Sequence, residues 1–369
     1  MVKQNKNEGG IRHLFLPTLF GTKRTRQVLN QNPNTIPIRE DSKEIKISVH
    51  DYNDKEYFVK ELSTLEECFP FFHTNTITWI NIDGIRKKDV EAICNYIGIH
   101  PLIQEDILSI NQRPKMEEVN GVLFCLLNML YYNGGRHLVE QEQVSIVFLK
   151  KFVLSFQEDA TRDVFTSLRE KLKIASGRIR QSGADHLCSA MLDLIVDHYF
   201  VVMDQLGDRI ELLEEEVVRN SNKRSLAKIN LLRKELIVLK RNMAPVRDLV
   251  NGFIRSDSEL LSDGSIKYFK DVHDHIIQAH DLSETYRDMT TSLQELYISN
   301  VNLRLNEIMK WLAIITSVLA PAMAIGGIFG MNFVVVPEAY ERLAFWLSVS
   351  SMFLIPTLML FYFKKNKWL

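Results

Sequence analysis

The sequence predicts an α/β domain that passes into a long helical stalk and ends in two membrane-crossing helices. Three observations predict this class. Short β-like runs alternate with helical patterns over the first half of the chain. From Ser265 to Ala320 there is neither Gly nor Pro, enough for one helix of roughly 80 Å at 1.5 Å per residue. Two apolar runs, Trp311 to Val336 and Leu343 to Phe363, close the chain, and each reaches the ~20 residues that a bilayer-spanning helix needs.

Residues 1–40 are rich in Asn, Gln, Lys, Arg and Pro and lack periodicity. They read as a mobile tail that docks, at most, through Leu14, Phe15 and Leu16. The first residues hold no apolar core of secretory length, so no cleavable signal peptide is expected. The α/β domain is expected over 41–183. Its strands are EIKISV (44–49), EYFVK (56–60), the cleanly alternating TITWINI (76–82), two runs at 121–131 and 143–149, and FVLSF (152–156). Lys150-Lys151 joins the last two as a hairpin. A helix at 87–97 is stopped by Gly98. The four cysteines, Cys68, Cys94, Cys125 and Cys188, lack CxxC spacing and sit among apolar neighbours, as small buried thiols of a reducing compartment do.

Residues 184–260 read as an acidic antiparallel helical hairpin. Leu187, Met191, Leu194, Ile195, Tyr199 and Val202 recur at helical spacing, and Glu211, Glu214, Glu215 and Glu216 close the first helix as a solvated acidic face, with a cation-concentrating surface as the alternative. Asn220-Ser221-Asn222 makes the turn, and the second helix runs through Leu231, Leu232, Leu236 and Leu239 to about Met243.

The stalk and pore-lining helix is expected over 265–332, with its membrane part at about 311–330. An external loop at 333–342, a second span at 343–363 and a basic tail at 364–369 complete the chain. Arg304 and Lys310 precede the first span, and Lys364, Lys365 and Lys367 follow the second, whereas the connecting segment carries Glu338 and Glu341. The positive-inside rule then places both termini in the cytoplasm. Ala322, Gly326 and Gly330 form a small-xxx-small series that lets helices approach closely.

Polarity along the stalk carries the functional signal. Glu295, Asn302, Met309, Thr316, Met323 and Gly330 are spaced by seven, and Ser299, Asn306, Ala313, Ala320 and Gly327 form the adjoining row. Together they trace one coiled-coil-like seam, polar at its cytoplasmic end and small or apolar beyond Met309. A polar seam suits a water-filled axis, and one two-helix hairpin cannot enclose an axis, so an oligomer is required. Met309 with Leu312 is the expected gate, closing by dewetting. Asn332 follows Gly330 and Met331 just past the C-terminal end of this helix, where unpaired carbonyls favour a cation. A ring of neutral amide oxygens suits a hydrated Mg²⁺, which holds its waters strongly. Glu338 and Glu341 would concentrate cations at that mouth.

Gly330-Met331-Asn332-Phe333, the two C-terminal spans and the ending KKNKWL resemble the CorA family of magnesium channels. The resemblance extends through ITWINIDG (77–84), HPLIQEDIL (100–108), QRPKME (112–117), VSIVFLKKFVLSFQE (144–158) and YFKDVHDH (268–275), covering about residues 45–369. It implies a funnel-shaped homopentamer in the cell membrane, with the asparagine as entrance filter. It further implies Mg²⁺ as both substrate and regulatory ligand, with Co²⁺ as a second ion. By matching motif, Asp106 and Asp271 would form the primary regulatory site between subunits, and Glu105 and Asp193 a second, with Asp197 the alternative to Asp193. Three positions depart from the family pattern: Phe329 for a tyrosine, Glu295 for an aspartate and Met323 for a hydroxyl residue. His273 and His275, which flank Asp274, read as helix-surface histidines, with a transition-metal contact as the alternative.

The rival within the class is a CorA-like transporter of Zn²⁺, Co²⁺ or Ni²⁺; the absence of Cys or His on the seam argues for a hard ion instead. From another class comes a membrane-tethered metal sensor without flux, which has no use for the seam. The chain shows no phosphate loop and no nucleophile-base-acid arrangement, so no enzyme is expected. A net charge of −1 gives no global basic signal for nucleic acid.

Overall fold

The computed structural model describes residues 39–110, 112–175, 177–331 and 342–368. Nearly all of the expected tail, Asn332, Glu338 and Glu341 lie outside them. The chain divides into two compact units, Met1–Glu215 with Lys223–Leu293 and Glu216–Asn222 with Gln294–Leu369.

In the first unit, seven strands form one sheet: β1 (Lys46–Tyr52), β2 (Tyr57–Leu62), β3 (Ile77–Asp83), β4 (Lys115–Val119), β5 (Val122–Asn133), β6 (Leu138–Phe148) and β7 (Phe152–Gln157). Their order is β2-β1-β3-β7-β6-β5-β4. Every pairing is antiparallel except β3 with β7, which runs parallel in the register Ile80↔Leu154. The expected hairpin at Lys150-Lys151 closes β6 onto β7, with Leu149 N–H donating to Phe152 O at 2.9 Å. Residues Val122 to Leu130 of β5 are buried without interruption, which is why that run reads as continuously apolar instead of alternating.

Helices cover both faces of the sheet. One face packs Ile80, Ile82, Phe124, Leu126 and Leu154 with helices α1 (Lys87–Ile97) and α2 (Pro101–Leu108), through Ile93, Ile103 and Ile107. Gly98 ends α1 in the left-handed region at φ 80°, as a helix-stopping glycine does. On the other face Trp79 meets Phe165 edge-on, just before α3 (Thr166–Lys173), and Phe148 stacks on Phe253. All four cysteines are free and buried. Burial pushes the thiols of Cys68 and Cys94 up to about 12, which keeps them unreactive.

The helical second half consists of α4 (Ala184–Arg219), α5 (Lys223–Arg255), α6 (Asp263–Phe329) and α7 (Arg342–Lys365). The apolar spacing predicts an end to α5 at about Met243. The helix instead continues to Arg255, because Met243, Pro245, Val246, Val250 and Phe253 are all buried. Asn242 fixes that helix to the sheet, its Oδ1 accepting from Asn128 Nδ2 at 2.8 Å. Packing of this kind outweighs the one backbone hydrogen bond that a proline removes.

Among the described residues, three helices are long and apolar enough to cross a membrane: Ala184–Arg219, Asp263–Ile328 and Trp346–Lys365. Burial separates them. The apolar window of α4 is 61% buried, against 11% for α6 and 0% for α7. The first is therefore accounted for by the protein's own core, and the other two are not.

Candidate ion pathway and regulatory metal cluster

In the second unit, one face of α6 is covered and the opposite face is bare. Ile314 is buried, and Val318, Pro321, Ala322 and Ile325 are half-buried, one face at helical spacing. Gly326 borders it, where an added Cβ would stand 3.4 Å from Met352 Cε of α7. The matching face of α7 carries Met352, Pro356, Met359 and Phe363. Gly326, the middle residue of the small-xxx-small series, thus faces α7.

The seam lies on the other side of α6. Glu295, Ser299, Asn302 and Asn306 are exposed and line a depression of about 340 Å³. Met309 is 67% exposed, Leu312 61% and Met323 66%, and Thr316, Ala320, Gly327 and Gly330 are exposed as well. Thr316 turns its hydroxyl back onto the helix, donating to Leu312 O at 2.9 Å. The helix tightens as it ends, with Gly330 N–H donating to Gly326 O at 3.0 Å and Met331 N–H to Ile328 O at 3.3 Å. At 100° per residue, Met309 and Thr316 stand about half a turn from Ile314 and Ile325. The seam is thus the face that the chain's own fold leaves without cover.

The first unit gathers the acidic residues. On α2, Glu105 is exposed and Asp106 half-buried. Pro101 opens the helix, and His100 Nδ1 accepts from Leu102 N–H at 3.2 Å, which fixes its start. Asp106 Oδ2 lies 2.6 Å from Lys115 Nζ. Burial pushes the Asp106 carboxyl above the ordinary carboxylate range, and the neighbouring ammonium only partly offsets this.

A second group joins α4 and α6. Asp193, Asp197 and His275 each present one ligand atom, all within 4.8 Å of one another. His275 Nδ1 is 3.2 Å from Asp193 Oδ1 and 3.7 Å from Asp197 Oδ1. Partial burial raises the Asp197 carboxyl from its ordinary value, and the charges of Asp193 and Asp271 add to this. The spacing explains the group: Asp193 and Asp197 are four apart on one helix face, and so are Asp271 and His275. Asp193 and Asp197 both face the same imidazole. His275 is a partly exposed helix histidine, and the sequence signal for its grouping is its place four residues after Asp271. His273, by contrast, lies 3.9 Å from its chain neighbour Asp274. Among the described residues, no three-ligand cluster within one chain contains Glu105, Asp106 or Asp271.

Three chemically compatible carboxylate and imidazole atoms so close together can converge on one divalent ion after small rotamer changes. Carboxylates supply hard oxygen ligands, and the imidazole adds affinity for Co²⁺-like ions.

Comparison with known proteins agrees with these features. Residues 74–365 match the family described as "CorA-like Mg2+ transporter protein". The chain is 38% identical over 327 residues to a "Cobalt/magnesium transport protein CorA" of Thermotoga maritima, covering 88% of this chain and 93% of that one. A protein of the same name from Methanocaldococcus jannaschii is 24% identical, over 81% of this chain and 93% of the other. The solved structure of the CorA magnesium transporter from that organism superposes with a TM-score of 0.72 at 22% identity, covering 87% of this chain and 98% of that chain. The seam, the two bare apolar helices and the extent of these matches lead to one conclusion: this chain belongs to the CorA-like family of Mg²⁺ transporter proteins.

Proposed function

We propose that the protein is a channel for hydrated divalent cations, with Mg²⁺ as its main ion and Co²⁺ as a second, and that it works as a homopentamer in the cell membrane. The observation that carries this reading is the exposed seam from Glu295 to Gly330, on the side of α6 turned away from the α7-packing face. Symmetry-related copies would bring their seams together around an axis. Glu295, Ser299, Asn302 and Asn306 then wet its cytoplasmic half, and Met309 and Leu312 form the apolar constriction. Gly330, Met331 and Asn332 form the entrance, where amide oxygens bind the waters of the ion, and Glu338 and Glu341 attract cations to it. Both termini are cytoplasmic in this arrangement. A negative internal potential drives entry, by about 4.6 kcal/mol per 100 mV for a divalent ion.

Regulation rests on carboxylates that repel one another when empty and are clamped by a shared cation. Asp106 with Asp271 forms the primary pair between neighbouring subunits, and Glu105 with Asp193 supports a second. The Asp193–Asp197–His275 group supports this reading, because it places three compatible ligands beside the charge of Asp271. Bound cation holds subunits together and the seam narrow.

The test is ion flux into vesicles containing the purified protein, with a negative internal potential and Mg²⁺, Co²⁺ or Zn²⁺ outside. Mg²⁺ entry that is blocked by cobalt hexaammine, a mimic of hydrated Mg²⁺, is the expected result. Zn²⁺ entry without Mg²⁺ entry would favour the transition-metal reading. No entry of any ion would favour a tethered sensor.

A further inference from the structure

The second unit contains a second depression, on another side of the stalk helix. Its volume is about 560 Å³, and it is formed by the end of α4 and the turn after it, through Arg219 and Ser221, and by Asn300, Arg304, Glu307 and Lys310 of α6. The turn is tied to the stalk: Asn300 Nδ2 donates to Val217 O at 3.1 Å, and Ser221 Oγ donates to the same carbonyl at 2.8 Å. These bonds satisfy a carbonyl of the last helical turn.

Three features fix its chemistry. Arg304 and Lys310 bring two cationic side chains to the depression, beside Glu307. The rim is apolar, with Val218 62% exposed and Leu303 63% exposed. Lys310 directly precedes Trp311, where the apolar run begins, and Arg304 lies roughly 9 Å below Lys310 along the helix axis. That depth matches the headgroup layer bordering the hydrocarbon core, where Trp and basic residues concentrate.

Orientation keeps the site reachable. Asn300, Arg304 and Glu307 project from the side of α6 that carries the α7-packing face higher up, about half a turn from Asn302 and Met309. If the seam faces the axis of an oligomer, this depression faces outward.

We propose that this depression binds the headgroup phosphate of an anionic phospholipid in the cytoplasmic leaflet, with Arg304 and Lys310 holding the phosphate and Val218 and Leu303 against the glycerol and first acyl carbons. The proposal rests on the reading of the run from Trp311 as membrane-spanning with its basic flank inside.

The test uses the full-length protein, reconstituted in phosphatidylcholine vesicles with phosphatidylglycerol added, then extracted gently and weighed intact by native mass spectrometry. The parent should retain phosphatidylglycerol over phosphatidylcholine, and R304Q/K310Q should lose about thirtyfold of that preference, the effect of two basic side chains at an anionic surface. Neutralising Lys364, Lys365 and Lys367 together should leave it in place. Equal retention of the two lipids by the parent would overturn the proposal without recourse to any variant, as would unchanged preference in R304Q/K310Q. Displacement of phosphatidylglycerol by excess inorganic phosphate would assign the site to a free anion instead. Parent protein that failed to float with the vesicles after alkaline washing would overturn the membrane reading itself. Insertion without lipid preference would overturn only this site.

Discussion

His275 Nδ1 lies 3.2 Å from Asp193 Oδ1, a contact that joins two long helices through residues 82 apart in sequence. Its chemistry is mixed, because one partner is a hard oxygen and the other a borderline nitrogen. Substituting His275→Ala should therefore weaken Co²⁺ binding more than Mg²⁺ binding. A tenfold loss of Co²⁺ affinity removes about 1.4 kcal/mol of cation-dependent stabilisation. Thermal melts of the purified protein at matched Co²⁺ and Mg²⁺ concentrations measure this. Equal loss for both ions would assign His275 a structural role only.

Asp271→Ala should leave Mg²⁺ flux running at internal Mg²⁺ concentrations that shut the parent. The substituted carboxylate adds to the potential at Asp197, so its removal weakens cation capture. Flux in vesicles preloaded with Mg²⁺ gives the readout. Inhibition as strong as in the parent would exclude Asp271 as a sensor.

Asn332→Ala should lower Mg²⁺ flux by tenfold or more, since a hydrogen bond to a charged partner contributes about 1.5–3 kcal/mol. Assembly should be unaffected, because the substitution removes only an amide. Size-exclusion chromatography and flux on one preparation separate the two effects.

Two glycines share a positive φ and differ in surroundings. Gly84 has φ 90°, and an added Cβ would overlap Glu44 O, whereas Gly98 has φ 80° with nothing within 4 Å. Gly84→Ala should cost about 3 kcal/mol, the upper end for strain at one residue. Gly98→Ala should cost about 1 kcal/mol, from the left-handed conformation alone. Denaturation midpoints of the two variants provide the comparison.

Asp83 sits in a buried polar chain. Asn81 Nδ2 donates to its Oδ1 at 2.9 Å and Gln157 Nε2 at 2.5 Å, while Ser155 Oγ donates to Asn81 Oδ1 at 2.6 Å. Burial raises the Asp83 carboxyl to about 6, despite the hydrogen bond from Asn81. A folded value above the unfolded one means that stability from this group is fully present below the unfolded value, near 4, and is lost as pH rises through about 6. The loss is of order 3 kcal/mol. Asp83→Asn keeps the neutral shape, so its thermal midpoint should be flatter between pH 4 and 7 than the parent's.

Most of the sheet was legible because β1, β3, β5, β6 and β7 pair apolar pattern with strand-forming residues. The sequence reading missed β4, which opens after Pro114 with Lys-Met-Glu-Glu and gains its strand character from pairing Lys115 with Leu126. An edge strand tolerates both proline and charge, so nothing local marks it. Pro245 does not end α5, because burial of its neighbours carries the helix through it. The seam was readable because its seven-residue spacing is a property of sequence. The Asp193–His275 contact was not, because it depends on how two helices meet 82 residues apart.

The uncovered face of α6 also bears on how the protein is made. A newly synthesised copy released alone into lipid would set Asn302, Asn306 and Thr316 near or within a medium that hydrates nothing. The neighbouring methionines, Met309 and Met323, would meanwhile be content there. The conflict grows toward the stalk, so a solitary subunit of the proposed oligomer should ride shallow or tilt until others reach it.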